Sequence, residues 1–280
     1  MFKTPLKLLS LFLLLIISFI YTSKVTESAL ESDPVMKSIE KYKIKNDINP
    51  VEPIIKENEM ILGYSGLIVD KKASYKNMKE SNTFDENKIV YKNKLPKTTI
   101  SKTYDYYIKK GNPKNKNVAI IFKVDDSKNV NELLKILSKN NITINFFVDG
   151  HWLEKNIESA FNMVNSGALI YNLGYDGVYH KDSINITNNL IESITLEDSF
   201  YCLNEDKNNE EKKLCSKKKM HTITPTLIEP ALTDLKKNLD EGVIISYDLK
   251  SFDMNKLMLI VNTIKSKGYS ITSLNKLLIE

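Results

Sequence analysis

The sequence predicts an α/β domain built on a largely parallel sheet, and three observations carry that reading. From Val118 to the C-terminus, short continuous apolar runs alternate with amphipathic runs of helical period. The apolar runs lack in–out alternation, as strands covered on both faces do. The segments joining them are long enough for the helical crossovers that parallel neighbours require. On pattern alone, an open doubly wound sheet accounts for this order.

The chain opens with Lys3 and Lys7, then an unbroken apolar run from Leu8 to Tyr21. A basic start followed by a long apolar run is the form of an export signal. No small-x-small cleavage site follows, because Phe19-Ile20-Tyr21-Thr22 is bulky. The run is slightly shorter than the roughly 20 residues of a spanning helix. Residues 1–22 are therefore expected to be a signal anchor, with a cleaved signal and secretion as the alternative. The positive-inside rule places the rest of the chain at the cell membrane, on its extracytoplasmic side. Residues 23–59 are polar, charged and punctuated by Pro34, Pro50 and Pro53, as in a linker, with a short helix around Met36–Tyr42. Residues 60–116 form a small extension: an apolar Met60–Val69, helical spacing over Asp70–Met78, and ordered pieces at Lys88–Tyr91 and Tyr104–Ile108.

The main domain is expected over 117–280. Its strands fall at Val118–Val124, Thr143–Val148, Ala168–Asn172, Ser199–Cys202, His221–Thr224, Val243–Tyr247 and Ser270–Thr272. Helices fall between them at Val130–Asn140, Leu153–Ser166, Ile184–Ser193, Asn209–Lys219, Thr233–Asp240 and Met254–Lys267. Val118, Ile120, Phe122, Leu134, Leu137, Ile144, Phe146, Val148, Ile244 and Leu274 are the expected core.

Several of these segments also carry local motifs. NVAIIFKVDD ends the first strand, NFFVDGHW forms the second, and SGALIYNLGYDGVYH and KSKGYSITSL come later. Their order and spacing over Asn117–Glu280 resemble the NodB-homology domain of the polysaccharide deacetylase family. That resemblance implies an irregular (β/α) barrel, which is the fold expected here. It also implies a divalent metal held by one Asp and two His, with a second Asp as base and a late His as acid. Lys123 stands where the base belongs and Val124 where the metal-binding acid belongs. Leu173 and Gly177 replace the two histidines, and Ser246-Tyr247 replaces the late acid. The scaffold is recognisable and its reactive residues are substituted.

A displaced site is the alternative. Asp125 and Asp126 could serve as an acid pair, with Asp176 and His180 at i, i+4 spacing completing a metal set with Asp125. Such an oxygen-rich site suits Mg or Mn better than Zn. The plainer reading has Asp125-Asp126-Ser127 as a strand-to-helix turn that caps the next helix. If Lys123 is buried it needs a carboxylate, and Asp125, Asp149 or Asp176 is expected to supply it. His151 is expected at a surface or cap position, and His221 as a satisfied polar residue.

Strand C-terminal ends form the site face of a (β/α) barrel. Trp152, Asn172, Tyr175 and Asp149 are the candidate glycan contacts there, since rings and amides suit sugar faces and hydroxyls. The expected function is thus a membrane-anchored deacetylase-like protein without catalysis or cofactor, binding a cell-wall polysaccharide, peptidoglycan or a membrane or wall protein. The alternative is an active amide hydrolase using the displaced acids and a divalent metal. The net charge of +5 is mild and interspersed, so no nucleic-acid partner is expected. The chain has no arginine, and hence no guanidinium clamp for anions. Cys202 and Cys215 are the only cysteines, and they stand either paired or as two small buried side chains.

Overall fold

The structure, a computed structural model, describes residues 12–22, 30–126 and 129–280. Residues 12–22 are helical with exposed side chains. The first part of the expected anchor, Leu8 to Leu11, lies outside the described residues. Among those described, no helix is long and apolar enough to cross a membrane.

The chain divides into two units, drawn differently from the expected boundaries at 59 and 116. The smaller comprises the described residues up to Asn49 together with Gly66–Lys94. In place of a mostly irregular linker it has the helix Pro34–Asn46, started by Pro34 and capped by Asp33, which accepts from Val35 N at 2.8 Å. Val35 and Ile39 of this helix pack with Val69 and Met78. Strands β3 (Gly66–Val69) and β4 (Tyr91–Lys94) pair antiparallel beside the helix Lys71–Met78.

The larger unit comprises Pro50–Ser65 and Leu95–Glu280. Its strands are β1 (Ile54–Lys56), β2 (Glu59–Ile61), β5 (Tyr107–Lys110), β6 (Asn117–Val124), β7 (Asn145–Val148), β8 (Leu169–Asn172), β9 (Tyr201–Leu203), β10 (His221–Ile223), β11 (Leu227–Ile228), β12 (Ile244–Asp248) and β13 (Ser270–Ile271). The order is β1-β2-β5-β10-β9-β8-β7-β6-β12-β11, with β13 beside β6. All pairs are parallel except β1 with β2. The far strands approach each other, because Lys110 pairs with Val243 and Gly111 N donates to Gly242 O at 2.8 Å. The sheet therefore curls into an irregular barrel, as expected, and not an open sheet. Part of the expected extension belongs to this barrel, through β2 and β5.

Strand parity builds two cores. Val118, Ile120, Phe122 and Val124 of β6 face the helices, with Phe146, Val148, Ile245 and Tyr247. Ala119 and Ile121 face the barrel interior, with Phe147, Tyr171, Tyr201 and Ile244. Leu274 and Leu277 of the last helix join the interior core, and Leu274 N donates to the buried Asn145 at 2.7 Å. Every expected core residue is buried. The expected helix Leu153–Ser166 is two helices, Gly150–Lys155 and Ile157–Asn165, interrupted at Asn156 where ψ leaves the helical range at 41°.

Candidate functional site

Lys123 has the interior-facing parity of Ala119 and Ile121 and stands near the C-terminal end of β6. Its Nζ lies 2.6 Å from Oε2 of Glu205. The other oxygen of Glu205 accepts from the hydroxyl of the fully buried Ser246, also at 2.6 Å. One carboxylate on the loop after β9 thereby joins β6 to β12. Burial opposes the charge on Lys123, but the Glu205 hydrogen bond and the nearby carboxylates of Glu205, Asp248 and Glu229 outweigh it. The net effect holds the ammonium above its ordinary range.

Glu205 is not among the partners expected for Lys123. Asp125 is exposed and its Oδ1 accepts from Asp126 N; Asp126 itself pairs with Lys250 at 3.1 Å. Asp149 and Asp176 are engaged elsewhere. Glu205 sits on a loop closed by Asn204, whose side chain exchanges hydrogen bonds with the Asn208 backbone at 2.9 Å in both directions. Cys202 and Cys215 form a disulfide that joins β9 to the helix Asn209–Lys217, so the loop carrying Glu205 is fastened at both ends. Bonded cysteines are the outcome of the two readings left open by the sequence.

The two residues read at the late-acid position part: Ser246 bonds Glu205, whereas Tyr247 does not join it. Tyr247 faces the helical layer between Phe122 and Phe252, with ring centroids 5.8 and 5.0 Å away. Asp248 is the residue of β12 in register with Lys123.

The displaced set does not converge. Asp176 has a left-handed backbone (φ +52°) and its Oδ1 lies 2.5 Å from Nδ1 of His151. His180 caps the helix Lys181–Thr195: Ser183 N donates to its ring, and its own N donates to Ser183 Oγ. Among the described residues no group of three His, Cys, Asp or Glu is placed to hold a metal ion. Ser127, assigned to the alternative turn, lies outside the described residues. At the positions that the resemblance assigns to the motif the chemistry is no better. Val124 is fully buried in the helical layer, Leu173 packs against the interior core, and Gly177 has no side chain. Aliphatic groups offer no lone pair, and the Lys123 ammonium repels a cation. The residues do not fit the metal that the family implies.

Three of the four candidate glycan contacts are structural. Asp149 is buried and caps the helix Gly150–Lys155, while its second oxygen accepts from Gly177 N at 3.0 Å. Gly177 has φ +73°, a turn conformation that the histidine expected there would adopt only with strain. Asn172 is fully buried and spends its amide on Ile184 O, Asn188 Oδ1 and Gly174 N. Trp152 lies in the helical core. Only Tyr175 reaches solvent, donating to Glu154 at 2.7 Å. His221 is buried and stacked on Tyr104 at 4.3 Å; its Nδ1 has no hydrogen-bond partner, contrary to expectation. That burial pushes its pKa down to about 4.

Glu205 and Asp248 escaped the sequence reading because they match no motif. The position of Glu205, just beyond the end of an expected strand, was the available signal.

Comparison with known proteins agrees with this fold. Residues 110–200 match the family described as polysaccharide deacetylase. The uncharacterized protein YlxY of Bacillus subtilis is 28% identical over 156 residues, which is 55% of this chain and 47% of YlxY. The match thus spans about half the length of that relative. In fold, the chain is similar to BA3943 of Bacillus anthracis, a CE4 family pseudoenzyme, with TM-score 0.67 and 24% identity over 88% of this chain and 95% of that one. A mutant of BA3943 is a pseudoenzyme with restored enzymatic activity. PdaA of Bacillus subtilis, a family 4 carbohydrate esterase, shares the fold at TM-score 0.55 and 19% identity, over 64% of this chain and 86% of PdaA.

Proposed function

We propose that this degenerate member of the polysaccharide deacetylase family is a non-catalytic protein that binds a cell-wall glycan at the outer face of a membrane. The single observation that carries the loss of catalysis is the Lys123–Glu205–Ser246 chain, a satisfied ion pair at the residue read as standing where the base belongs. An ammonium neutralised by its own carboxylate neither abstracts a proton from water nor ligates a metal. The likeness to a CE4 pseudoenzyme supports the same reading. Glycan binding follows from the family's substrate class, retained after the chemistry is gone. The placement outside the membrane rests on the Lys3, Lys7 and Leu8–Tyr21 start and on the disulfide, which persists in oxidising compartments.

The test is co-sedimentation of the full chain with purified peptidoglycan sacculi, alongside membrane fractionation and N-terminal sequencing. Retention on sacculi and an intact N-terminus in the membrane fraction are expected. A soluble mature chain beginning near Ser23 would replace the anchor with a cleaved signal. Failure to sediment with sacculi would remove the glycan reading.

A further inference from the structure

The helix Pro34–Asn46 packs one side and turns a basic side outward. Val35, Met36 and Ile39 are buried, and Tyr42 packs against the same cluster. At about 100° per residue, Lys37, Lys41, Ile44 and Lys45 share an arc of roughly 100° on the other side. All four are exposed, Ile44 by 76%.

Two properties of this arc bear on what covers it. Its charge is of one sign and unspent. Among the described residues, no carboxylate comes within ion-pair distance of Lys37, Lys41 or Lys45. The carboxylates of the helix and its caps are engaged elsewhere. Asp33 caps its start and accepts from Tyr75, Glu40 pairs with Lys71 at 2.7 Å, and Asp47 pairs with Lys43 at 2.6 Å. The second property is Ile44, an aliphatic side chain projecting from among the lysines. Lysines alone make an ordinary solvated face, whereas lysines around a projecting apolar group suit a lipid interface.

The chain brings such an interface within reach. Twelve residues separate Tyr21, the end of the apolar run, from Pro34. Twelve residues span at most about 40 Å. We infer that the arc of Lys37, Lys41, Ile44 and Lys45 docks on anionic lipid headgroups of the membrane that holds the chain. The ammonium groups meet headgroup phosphates, and Ile44 enters the boundary beneath them. Three lysines hold a free protein weakly, but a tether this short makes docking an intramolecular step. The inference rests on the membrane anchoring proposed above.

The experiment carries Ile44→Trp in the full chain, reconstituted into vesicles whose acyl chains are brominated near the interface. Bromine quenches an indole that reaches that depth, and the unsubstituted chain, whose Trp152 is buried, is the blank. Quenching above the blank is expected in phosphatidylglycerol vesicles and not in phosphatidylcholine vesicles. Lys37→Gln, Lys41→Gln and Lys45→Gln should each weaken docking about fivefold at low salt, and less as salt is raised. These positions are exposed, so the melting temperature should stay unchanged. Equal quenching in the two lipids, or quenching that survives the triple substitution, would overturn the inference and leave the anchor standing. So would a chain that floats with the vesicles yet shows no quenching in either lipid. Quenching abolished by soluble polyphosphate at matched phosphate concentration would assign the arc to a free polyanion and overturn the lipid reading. A chain that fails to float with any vesicle would overturn the anchoring and this inference together.

Discussion

Lys123 and Glu205 meet at 2.6 Å across the barrel interior, 82 residues apart in sequence, and Ser246 completes the second oxygen of Glu205. The two side chains are only 22% and 16% exposed. A pair this shielded is strongly disturbed when one partner is removed, because the other is left charged without compensation. Lys123→Met and Glu205→Gln are each expected to cost about 2–3 kcal/mol. The double substitution should cost less than the sum of the singles, measured by urea denaturation. Additive losses would show that the pair is not coupled.

The same pair sets a pH dependence. Lys123 has a folded pKa above that of the unfolded chain. Its contribution is therefore complete below the ordinary lysine value, about 10.4, and is lost as pH rises through the higher folded value. The stability gap between wild type and Lys123→Met is expected to hold at neutral pH and to close in strong alkali. A gap that closes below about pH 9 would contradict the assignment.

His221 works in the acid range with the opposite sign. Its folded pKa is near 4, below the unfolded 6.5. Stability from keeping it neutral is complete above about pH 6.5 and declines as pH falls toward the folded value, by about 2–3 kcal/mol. His221→Phe should keep the stack on Tyr104, remove the unpaired Nδ1 and flatten that part of the acid profile. An unchanged profile in thermal melts between these pH values would place His221 in solvent.

The Cys202–Cys215 bond fastens the loop that presents Glu205. Reduction is expected to cost about 2–4 kcal/mol and to lessen the effect of Glu205→Gln. Denaturation with and without reductant checks both. If the Glu205→Gln effect is equal in the two states, the disulfide does not position that carboxylate.

The barrel was largely legible in the sequence because its strands are continuous apolar runs between helical ones. Phe122 and Phe146, read as core from that pattern, are neighbours in register on β6 and β7. The assignment of Lys123, Val124, Leu173 and Gly177 to motif positions was drawn from spacing, which a motif fixes even when its residues change. What replaced them was not legible. Glu205 lies in a loop without periodicity, and its pairing with Lys123 is a long-range contact that no local pattern encodes. Ser246 and Tyr247 were read together, yet in a strand a one-residue step exchanges the two faces, and only Ser246 bonds Glu205. Asp149 and Asn172 looked like site residues because they sit at strand ends, yet Asp149 caps the helix that follows and Asn172 bonds Gly174 N, Ile184 O and Asn188.

The central claim is tested most directly by measuring bound Zn, Mn, Co and Ni on the purified protein together with acetate release from chitooligosaccharide and peptidoglycan. The Lys123–Glu205 pair predicts no stoichiometric metal and no acetate above background. Stoichiometric metal, with acetate release abolished by Asp125→Ala or His180→Ala, would contradict it and restore the displaced-site enzyme.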